Sequence, residues 1–349
     1  MGQRTVGASR VPAPKWEPRR TTRRMRLGGR GRGPRLASKA WGLAGPARSG
    51  GPARVEPAAL TRASASERNT APAARGVRAL PGASATPLAL DGLAAPVPAT
   101  LVEIGVGPPI VFLHGLVGLN EHWEGVVALM HARARCLLLQ IPLLDLRGED
   151  CSIGGVTRLT TQYLRDHLRE PAVLVGNSFG GHVALRVALE QPELVKGLVL
   201  AGSSGLIERS MVREVQIKPS KHWLREKIGE LFYDPSHMRE ADLERAHKEL
   251  SDRHGARAMV RLSRTARRNH LGEKIRNIHA PTLLIWGRED VVTPPSAAEA
   301  FMHLLPNARI EWFERCGHVP MLEATEGFAE ALGSFVDELA GVGVEGRGR

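Results

Sequence analysis

The amino-acid sequence predicts an α/β protein built on a mostly parallel, doubly wound sheet. Short apolar runs without polar alternation, such as "PIVFL" and "AVLVG", recur along the chain and alternate with segments of helical period. Unbroken apolar strands of this kind are typical of parallel sheets that helices cover on both faces. A long charged segment interrupts the alternation, and one serine lies between glycines directly after a strand.

The start of the chain differs in composition from the remainder. Residues 1–100 carry 18 Lys and Arg against 4 Asp and Glu, a net charge of +14, so the other residues contribute −2 to the total of +12. This Arg/Gly/Pro/Ala-rich segment shows no sustained helical or strand period, and it cannot bury enough surface to offset chain entropy. We therefore predict a disordered leader over 1–95, a folded domain over 96–340 and a flexible tail over 341–349.

Three interpretations of the leader stay open. Its Arg and Gly content fits a nucleic-acid-binding arm, its Arg-rich and acid-poor character fits an organelle transit peptide, and a low-complexity leader without function is the interpretation we favour. A twin-arginine export signal is rejected because "LGGRGRG" stands where an apolar segment is required. No stretch approaches the roughly 18 apolar residues of a membrane helix. We expect a soluble, cytoplasmic protein.

Strands and helices can be placed in order within the folded domain. Candidate strands are "TLVEIG", "PIVFLHG", "RCLLLQIP", "AVLVGNS", "VKGLVLAGS", "PTLLIWG" and "RIEWFERCGH". Shared apolar faces predict two helices, one through Val183, Ala184, Val187 and Ala188 and one through Phe328, Leu332, Phe335 and Leu339. Residues 206–278 look purely helical, with 17 basic and 11 acidic residues, and we interpret them as an insertion over one end of the sheet.

The candidate nucleophile is Ser178, in a G-x-S-x-G motif that begins at Gly176 and ends at Gly180. This motif makes a sharp turn from strand to helix that holds the serine in a strained backbone conformation, and a Cβ at either glycine would collide with the neighbouring strand or helix. The match is weak by itself. Here it follows an apolar strand and opens an amphipathic helix, which is the context that the motif requires.

A nucleophilic serine needs a base, and the base needs an acid that orients it. His318 follows the final strand in "ERCGHVP", and Asp290 follows the preceding strand in "WGREDVV". Both therefore lie at carboxyl ends of strands, where open parallel sheets place their sites. Glu289 is the alternative acid.

Acyl transfer also needs backbone N–H donors that face the developing oxyanion. The N–H of Phe179, at a helix start, is one candidate. The loop "HGLVG" after the first core strand supplies the second at Leu116, with His114 and Gly115 as structural residues.

Together these motifs resemble the α/β-hydrolase superfamily over residues 101–340. The matching stretches are "HGL" at 114–116, "GNSFGG" at 176–181, "GRED" at 287–290 and "GHVP" at 317–320. The resemblance implies an α/β-hydrolase fold with the helical insertion as its lid, and no metal or organic cofactor. It also implies that Ser178 is the nucleophile, that His318 is general base and then acid, and that Asp290 orients it.

Within the superfamily, "GNSFGG" is similar to the elbow of the meta-cleavage-product hydrolases. Those enzymes carry a Gly-Pro-Gly step after HG, whereas this chain has "HGLVGLNEHW". Epoxide and haloalkane hydrolysis would need Asp at position 178. The N-terminal edge strands of the superfamily are barely visible, so we expect a shortened sheet.

Ester hydrolysis is the most economical function, because it needs only the triad and the oxyanion hole. A C–C bond hydrolase of the meta-cleavage-product type and a non-catalytic ligand-binding protein are the alternatives. We expect a small-molecule ester or related acyl substrate and no nucleic-acid partner, and we leave the oligomeric state open. One face of a lid helix would be either a docking face for an anionic substrate or carrier or an ordinary solvated face. Its residues are Arg257, Arg261, Arg264 and Arg268.

Overall fold

Short apolar segments of the chain pair into one eight-stranded sheet. The structure is a computed structural model and describes residues 82–118, 120–209 and 219–341. The strands are β1 Ser84–Leu90, β2 Val97–Ile104, β3 Pro109–Leu113, β4 Arg135–Gln140, β5 Ala172–Asn177, β6 Val195–Ala201, β7 Thr282–Gly287 and β8 Ala308–Phe313. Their order across the sheet is β1-β2-β4-β3-β5-β6-β7-β8.

The sheet is parallel except at its amino-terminal edge. Strands β1 and β2 pair antiparallel, as do β2 and β4, and every pair from β4/β3 to β7/β8 is parallel. The carboxyl ends of β5, β7 and β8 therefore meet at one edge. The predicted mostly parallel, doubly wound sheet is confirmed.

Helices cover both faces because the strands are apolar on both sides. On β3, Ile110 and Phe112 join a core cluster with Phe328, whereas Val111 joins the opposite cluster with Val183. The α-helices of the described residues are α1 Glu124–Met130, α2 Ile153–Gln162, α3 Phe179–Glu190, α4 Lys221–Gly229, α5 Glu240–Ser251, α6 Arg253–Arg268, α7 Pro295–Leu304, α8 Pro320–Glu323 and α9 Thr325–Leu339. Both apolar faces predicted from the sequence lie on these helices, within α3 and α9.

The first strand corrects two expectations. Strand β1 lies inside the predicted leader and pairs with β2 over its whole length, from Ser84 opposite Glu103 to Leu90 opposite Val97. The domain therefore begins before residue 96, and the sheet is not shortened. The sequence pattern does not indicate β1, because this strand lies at the edge of the sheet and its residues are mostly exposed. An apolar pattern is therefore missing from it.

The remaining residues of the predicted leader and tail, 1–81 and 342–349, lie outside the described residues, and their predicted disorder stays a prediction. Within the described ranges, no helix combines the length and the apolar composition that crossing a membrane requires.

Three helices, α4 to α6, form the lid. Side-chain caps start two of them: Ser220 Oγ accepts from the N–H of Trp223 at 3.2 Å, and Asp252 Oδ2 accepts from the N–H of His254 at 2.9 Å. The lid reaches the carboxyl edge of the sheet, where the N–H of His318 donates to the carbonyl of Leu231 at 2.7 Å. Residues 210–218 of the predicted insertion lie outside the described residues.

Candidate active site

Ser178 occupies the turn between β5 and α3, with φ 52° and ψ −115°. A positive φ is uncommon for a residue with a side chain, and such strain persists only where surrounding contacts enforce it. Here the N–H of Ser178 donates to the carbonyl of Ala201 at 3.1 Å, and its own carbonyl accepts from the N–H groups of His182 and Ser204.

The two glycines of the motif are required by close packing, as the sequence predicted. A Cβ added at Gly176 would lie 2.5 Å from the backbone of Gly180, and one added at Gly180 would lie 2.3 Å from the carbonyl oxygen of Leu113. Neither backbone can retreat without moving β3 or the start of α3. Any side chain at these two positions would therefore disturb the turn that presents Ser178.

The predicted histidine and aspartate are in direct contact. His318 Nδ1 lies 2.9 Å from Asp290 Oδ2, and both side chains are almost completely buried. Asp290 Oδ1 accepts from the N–H groups of Val292 and Thr293, which aims the other oxygen at the imidazole. A carboxylate held in this way fixes the ring so that Nε2 faces away from it.

A third polar residue, Thr293, contacts both Asp290 and His318, and the sequence analysis did not identify it. Thr293 is fully buried, donates from Oγ1 to Asp290 Oδ2 at 2.8 Å and lies 3.2 Å from His318 Nδ1. A signal existed, because a threonine three residues after an aspartate in a turn is well placed to hydrogen-bond back to it.

The alternative acid and the motif asparagine have other partners. Glu289 Oε2 accepts from the N–H of Cys316 at 2.9 Å, so its carboxylate holds the loop before His318. Asn177 Nδ2 donates to the carbonyls of Ala201 and His318, both at 3.0 Å. The residue before Ser178 therefore ties the histidine loop to the end of β6.

The two predicted oxyanion donors face the same cavity as Ser178. Leu116, Phe179 and His318 line this cavity together with the serine. Within the described residues, the N–H groups of Leu116 and Phe179 have no hydrogen-bond acceptor. A Cβ added at Gly115 would lie 3.6 Å from the Cβ of Ser178, which shows how closely this loop approaches the serine.

The cavity holds about 210 Å³ and is mainly apolar. The core supplies Val292 and Val319, and the lid supplies most of the remaining wall of the cavity that Ser178 also lines. Apolar lid residues on this wall include Trp223, Leu224, Ile228, Leu250 and Met259. Such a wall excludes water from an acyl group and favours an apolar ligand.

Charged residues line the cavity as well, and the sequence did not single them out. Arg209, Lys227 and Arg267 are the cationic ones, and Arg209 and Lys227 both contact the carboxylate of Glu230, at 3.0 and 2.7 Å. Elsewhere in the wall, His122 Nε2 lies 3.1 Å from Asp242 Oδ2. Burial lowers the pKa of His122, although Asp242 opposes this effect.

The predicted arginine face does not reach the cavity. All four of its members are exposed on α6, whereas Met259, Ser263 and Arg267 of the same helix line the wall. The cavity wall does not include the four arginines, so their role as a docking face for an anionic substrate or carrier stays a prediction. Helical period alone could group the arginines, but it could not tell which face of α6 turns inward. The four are Arg257, Arg261, Arg264 and Arg268.

Comparison with known proteins places this geometry in a family. A family model described as the alpha/beta hydrolase family matches residues 110–331, and the chain therefore belongs to that family. Over 244 residues the chain is 30% identical to the pimeloyl-(acyl-carrier protein) methyl ester esterase of Nitrosomonas europaea, which covers 65% of this chain and 95% of the relative.

One further relative and one solved structure show similar sequence identity to this chain. The 2-hydroxy-6-oxononadienedioate/2-hydroxy-6-oxononatrienedioate hydrolase of Paraburkholderia phymatum is 31% identical over 251 residues, covering 66% of this chain and 87% of the relative. A solved alpha/beta hydrolase from the metagenome of sediments of the Mar Chica lagoon, Morocco, is 30% identical with a TM-score of 0.57, covering 69% of this chain and 95% of that one. The chain is thus a hydrolase, and its relatives include an esterase and a hydrolase of 2-hydroxy-6-oxo dioates.

Proposed function

We propose that the chain cleaves carboxylic esters through an acyl-enzyme on Ser178. The observation that carries this proposal is the buried contact of 2.9 Å between His318 Nδ1 and Asp290 Oδ2, beside the cavity that Ser178 and His318 both line. An imidazole held by a carboxylate at Nδ1 keeps the tautomer whose Nε2 accepts a proton. This arrangement supplies the base that a serine nucleophile needs.

In the first half of the reaction, Ser178 Oγ attacks the ester carbonyl carbon and its proton passes to His318 Nε2. The carbonyl π electrons move to oxygen, and the N–H groups of Leu116 and Phe179 donate to this oxyanion. Removal of one such donor costs about 2.7–4 kcal/mol of transition-state stabilisation. The ester C–O bond then breaks, and the alcohol leaves with the proton from His318.

In the second half, water attacks the acyl carbon while His318 Nε2 takes a proton from it. The tetrahedral intermediate collapses, the bond to Ser178 Oγ breaks, and His318 returns the proton to that oxygen as the carboxylic acid leaves. Asp290 stays ionised throughout and stabilises the imidazolium. Thr293 keeps the carboxylate in place by its hydrogen bond to Oδ2.

The cavity supports an apolar acyl or alcohol group as the part of the substrate next to the reacting ester. The relative from Nitrosomonas europaea is named as an esterase for a methyl ester on acyl-carrier protein, which supports ester chemistry at such a site. A carrier that bears the ester would stay outside the cavity. The exposed arginine face on α6 would then meet an anionic carrier rather than the acyl group.

A second candidate is hydrolysis of a C–C bond in a carboxylate-bearing ketone. Arg209, Lys227 and Arg267 line the cavity together with the acidic Glu208 and Asp242, and a substrate carboxylate could pair with these cationic groups. The relative from Paraburkholderia phymatum is named for a dioate substrate, and it supports this alternative.

The deciding experiment compares Ser178→Ala with the unchanged chain. We expect the variant to lose labelling by a fluorophosphonate and turnover of p-nitrophenyl esters while it stays folded, because the change removes one hydroxyl. Ser203→Ala is the matched control, since that hydroxyl is buried nearby and bonds to the carbonyl of Ser204.

Parallel assays separate the remaining alternatives. Turnover of a vinylogous 1,5-diketone acid at rates well above those for esters would favour the C–C hydrolase. A folded chain that neither reacts with the probe nor turns over any substrate would instead be a ligand-binding protein. Full activity in Ser178→Ala would overturn both catalytic assignments.

A further inference from the structure

Gln140, the last residue of β4, lies against the loop that carries the predicted oxyanion donor Leu116. Its Oε1 accepts from the backbone N–H of Asn120 at 2.9 Å, and its Nε2 lies 3.1 Å from His114 Nε2. Asn120 is itself tied to β4, because its Nδ2 donates to the carbonyl of Leu138 at 2.9 Å. One amide side chain therefore bridges the two ends of the loop.

The partners of this amide settle which way it faces. A backbone N–H can only donate, so the group of Gln140 that meets Asn120 has to be the oxygen. The NH₂ group then faces His114 Nε2, and two donors in contact would repel each other. Nε2 must therefore be the bare nitrogen of a neutral ring, and the proton of His114 lies on Nδ1.

The proton on Nδ1 faces the backbone of the next residue. His114 Nδ1 lies 2.8 Å from the carbonyl oxygen of Gly115, which also accepts from the N–H of Gly118 at 3.1 Å. The ring stays neutral at ordinary pH, because burial lowers the pKa of His114 to about 4, although contacts with the backbone of Gly115 and Ile141 oppose this effect. The carbonyl of Gly115 is thus held from two sides.

The direction of that carbonyl decides where the next N–H points. In a trans peptide the carbonyl of Gly115 and the N–H of Leu116 point in opposite directions across one plane. Because His114 and Gly118 hold the carbonyl of Gly115, the peptide between Gly115 and Leu116 cannot rotate. The N–H of Leu116 therefore keeps its direction. The loop also lies against the nucleophile, as the approach of Gly115 to Ser178 shows.

We propose that Gln140 is a positioning residue for the oxyanion hole: it selects the Nδ1–H tautomer of His114, which orients the peptide that presents the N–H of Leu116. Gln140 itself does not line the cavity. The proposal rests on the function proposed above, in which Leu116 donates to the oxyanion. Its first step, the tautomer, can nevertheless be measured without any turnover.

The first test measures the ring nitrogens of His114 by two-bond ¹H–¹⁵N correlation in the full-length chain, with His114→Asn used for assignment. We expect an unprotonated Nε2 and a protonated Nδ1. In Gln140→Glu the carboxylate would face Nε2, and we expect that nitrogen to become protonated. A proton on Nε2 of the unchanged chain, donated for example to the nearby carbonyl of Ile141, would overturn the proposal, as would a bare Nε2 in Gln140→Glu.

The second test is kinetic and uses Gln140→Met, which keeps the shape of the side chain and removes both of its hydrogen bonds. We expect kcat for p-nitrophenyl esters to fall about tenfold with little change in KM, less than the roughly 10²–10³-fold loss of a whole oxyanion donor. The Ki of a trifluoromethyl ketone, which forms an oxyanion on the serine, should rise by the same factor. Affinity for the matching methyl ketone should stay the same.

Gln162→Met is the matched control. Gln162 is a glutamine that hydrogen-bonds to Asp91 and not to the loop that carries Leu116. A folded Gln140→Met with unchanged kcat and unchanged Ki would overturn the proposal even if Ser178 is the nucleophile. If Ser178→Ala keeps its activity, the proposed function fails instead. If Gln140→Met does not fold, the tautomer of the unchanged chain still decides the first step.

Discussion

Arg245 on the lid helix α5 donates a hydrogen bond from Nη2 to the backbone carbonyl of Val117, one residue beyond the predicted oxyanion donor Leu116. Two further contacts join the lid to the same loop region: Asp242 meets His122 at 3.1 Å, and Arg239 donates to the carbonyl of Glu121 at 3.3 Å. The lid is therefore bonded directly to the loop that faces Ser178. Lid position and oxyanion geometry should depend on each other.

Replacing Arg245 tests this dependence. Arg245→Met should lower kcat/KM for p-nitrophenyl esters about tenfold, because a hydrogen bond from a charged group contributes roughly 1.5–3 kcal/mol. Steady-state kinetics and a thermal melt would measure it. Arg225→Met is the control, since Arg225 makes an exposed ion pair with Glu240 within the lid. Equal losses of kcat/KM in the two variants would mean that the contact of Arg245 with Val117 has no specific effect and that activity depends on the lid as a whole.

The residue at which the folded chain starts gives a second prediction. A chain that starts at residue 82 should fold, whereas one that starts at Pro96 should lose thermal stability and self-associate. The shorter chain lacks β1, which leaves the edge of β2 unpaired, and it lacks the fully buried Leu90, whose burial contributes about 1.5–3 kcal/mol. Melting temperature and size-exclusion chromatography would compare the two. A stable monomer that starts at Pro96 would show that β1 is dispensable.

Buried histidines give a pH prediction. Burial lowers the pKa of His182 to about 3 and that of His114 to about 4. Both lie below the ordinary value near 6.5, so the unfolded chain binds more protons than the folded one below that pH. The free energy of unfolding should therefore fall as pH drops from about 6.5 towards 4, by up to about 1.4 kcal/mol per pH unit for each histidine.

Substitution at one of these histidines isolates the effect. His182 is fully buried and its polar neighbour is the backbone of Asn269, so His182→Leu removes the titration at the cost of at most that one contact. Urea unfolding at several pH values should give a shallower acid slope for this variant than for the exposed His222→Leu. Identical slopes would contradict the assignment of acid sensitivity to His182.

The success and failure of sequence reasoning follow from the range of the contacts involved. The turn at Ser178 and the loops of Asp290 and His318 were predictable, because each depends on local order: an apolar strand, then a glycine-rich turn. Gln140 and Arg245 were not predictable, since their roles depend on partners 26 and 128 positions away along the chain. Sequence patterns mark local turns and strand ends, but they do not show which distant residues the fold brings to them.

The arginine face of α6 gives the last prediction, and it concerns substrates that extend beyond the cavity. Among the ion pairs of the described residues, none involves Arg257, Arg261, Arg264 or Arg268, so an anionic carrier could approach them without displacing a carboxylate. Changing the four to Glu should raise KM for an ester on an anionic carrier and leave kcat nearly unchanged, because binding remote from the reacting bond appears mainly in KM.

Neutral p-nitrophenyl esters provide the internal control, since they fit inside the cavity and should keep their KM in the charge-reversed variant. The difference between the two substrate types should shrink as salt rises, because exposed charges are screened over about 8–10 Å near physiological ionic strength. Kinetics at low and high salt would measure both effects. Equal KM values for the anionic-carrier ester before and after charge reversal in low salt would leave this face as an ordinary solvated surface.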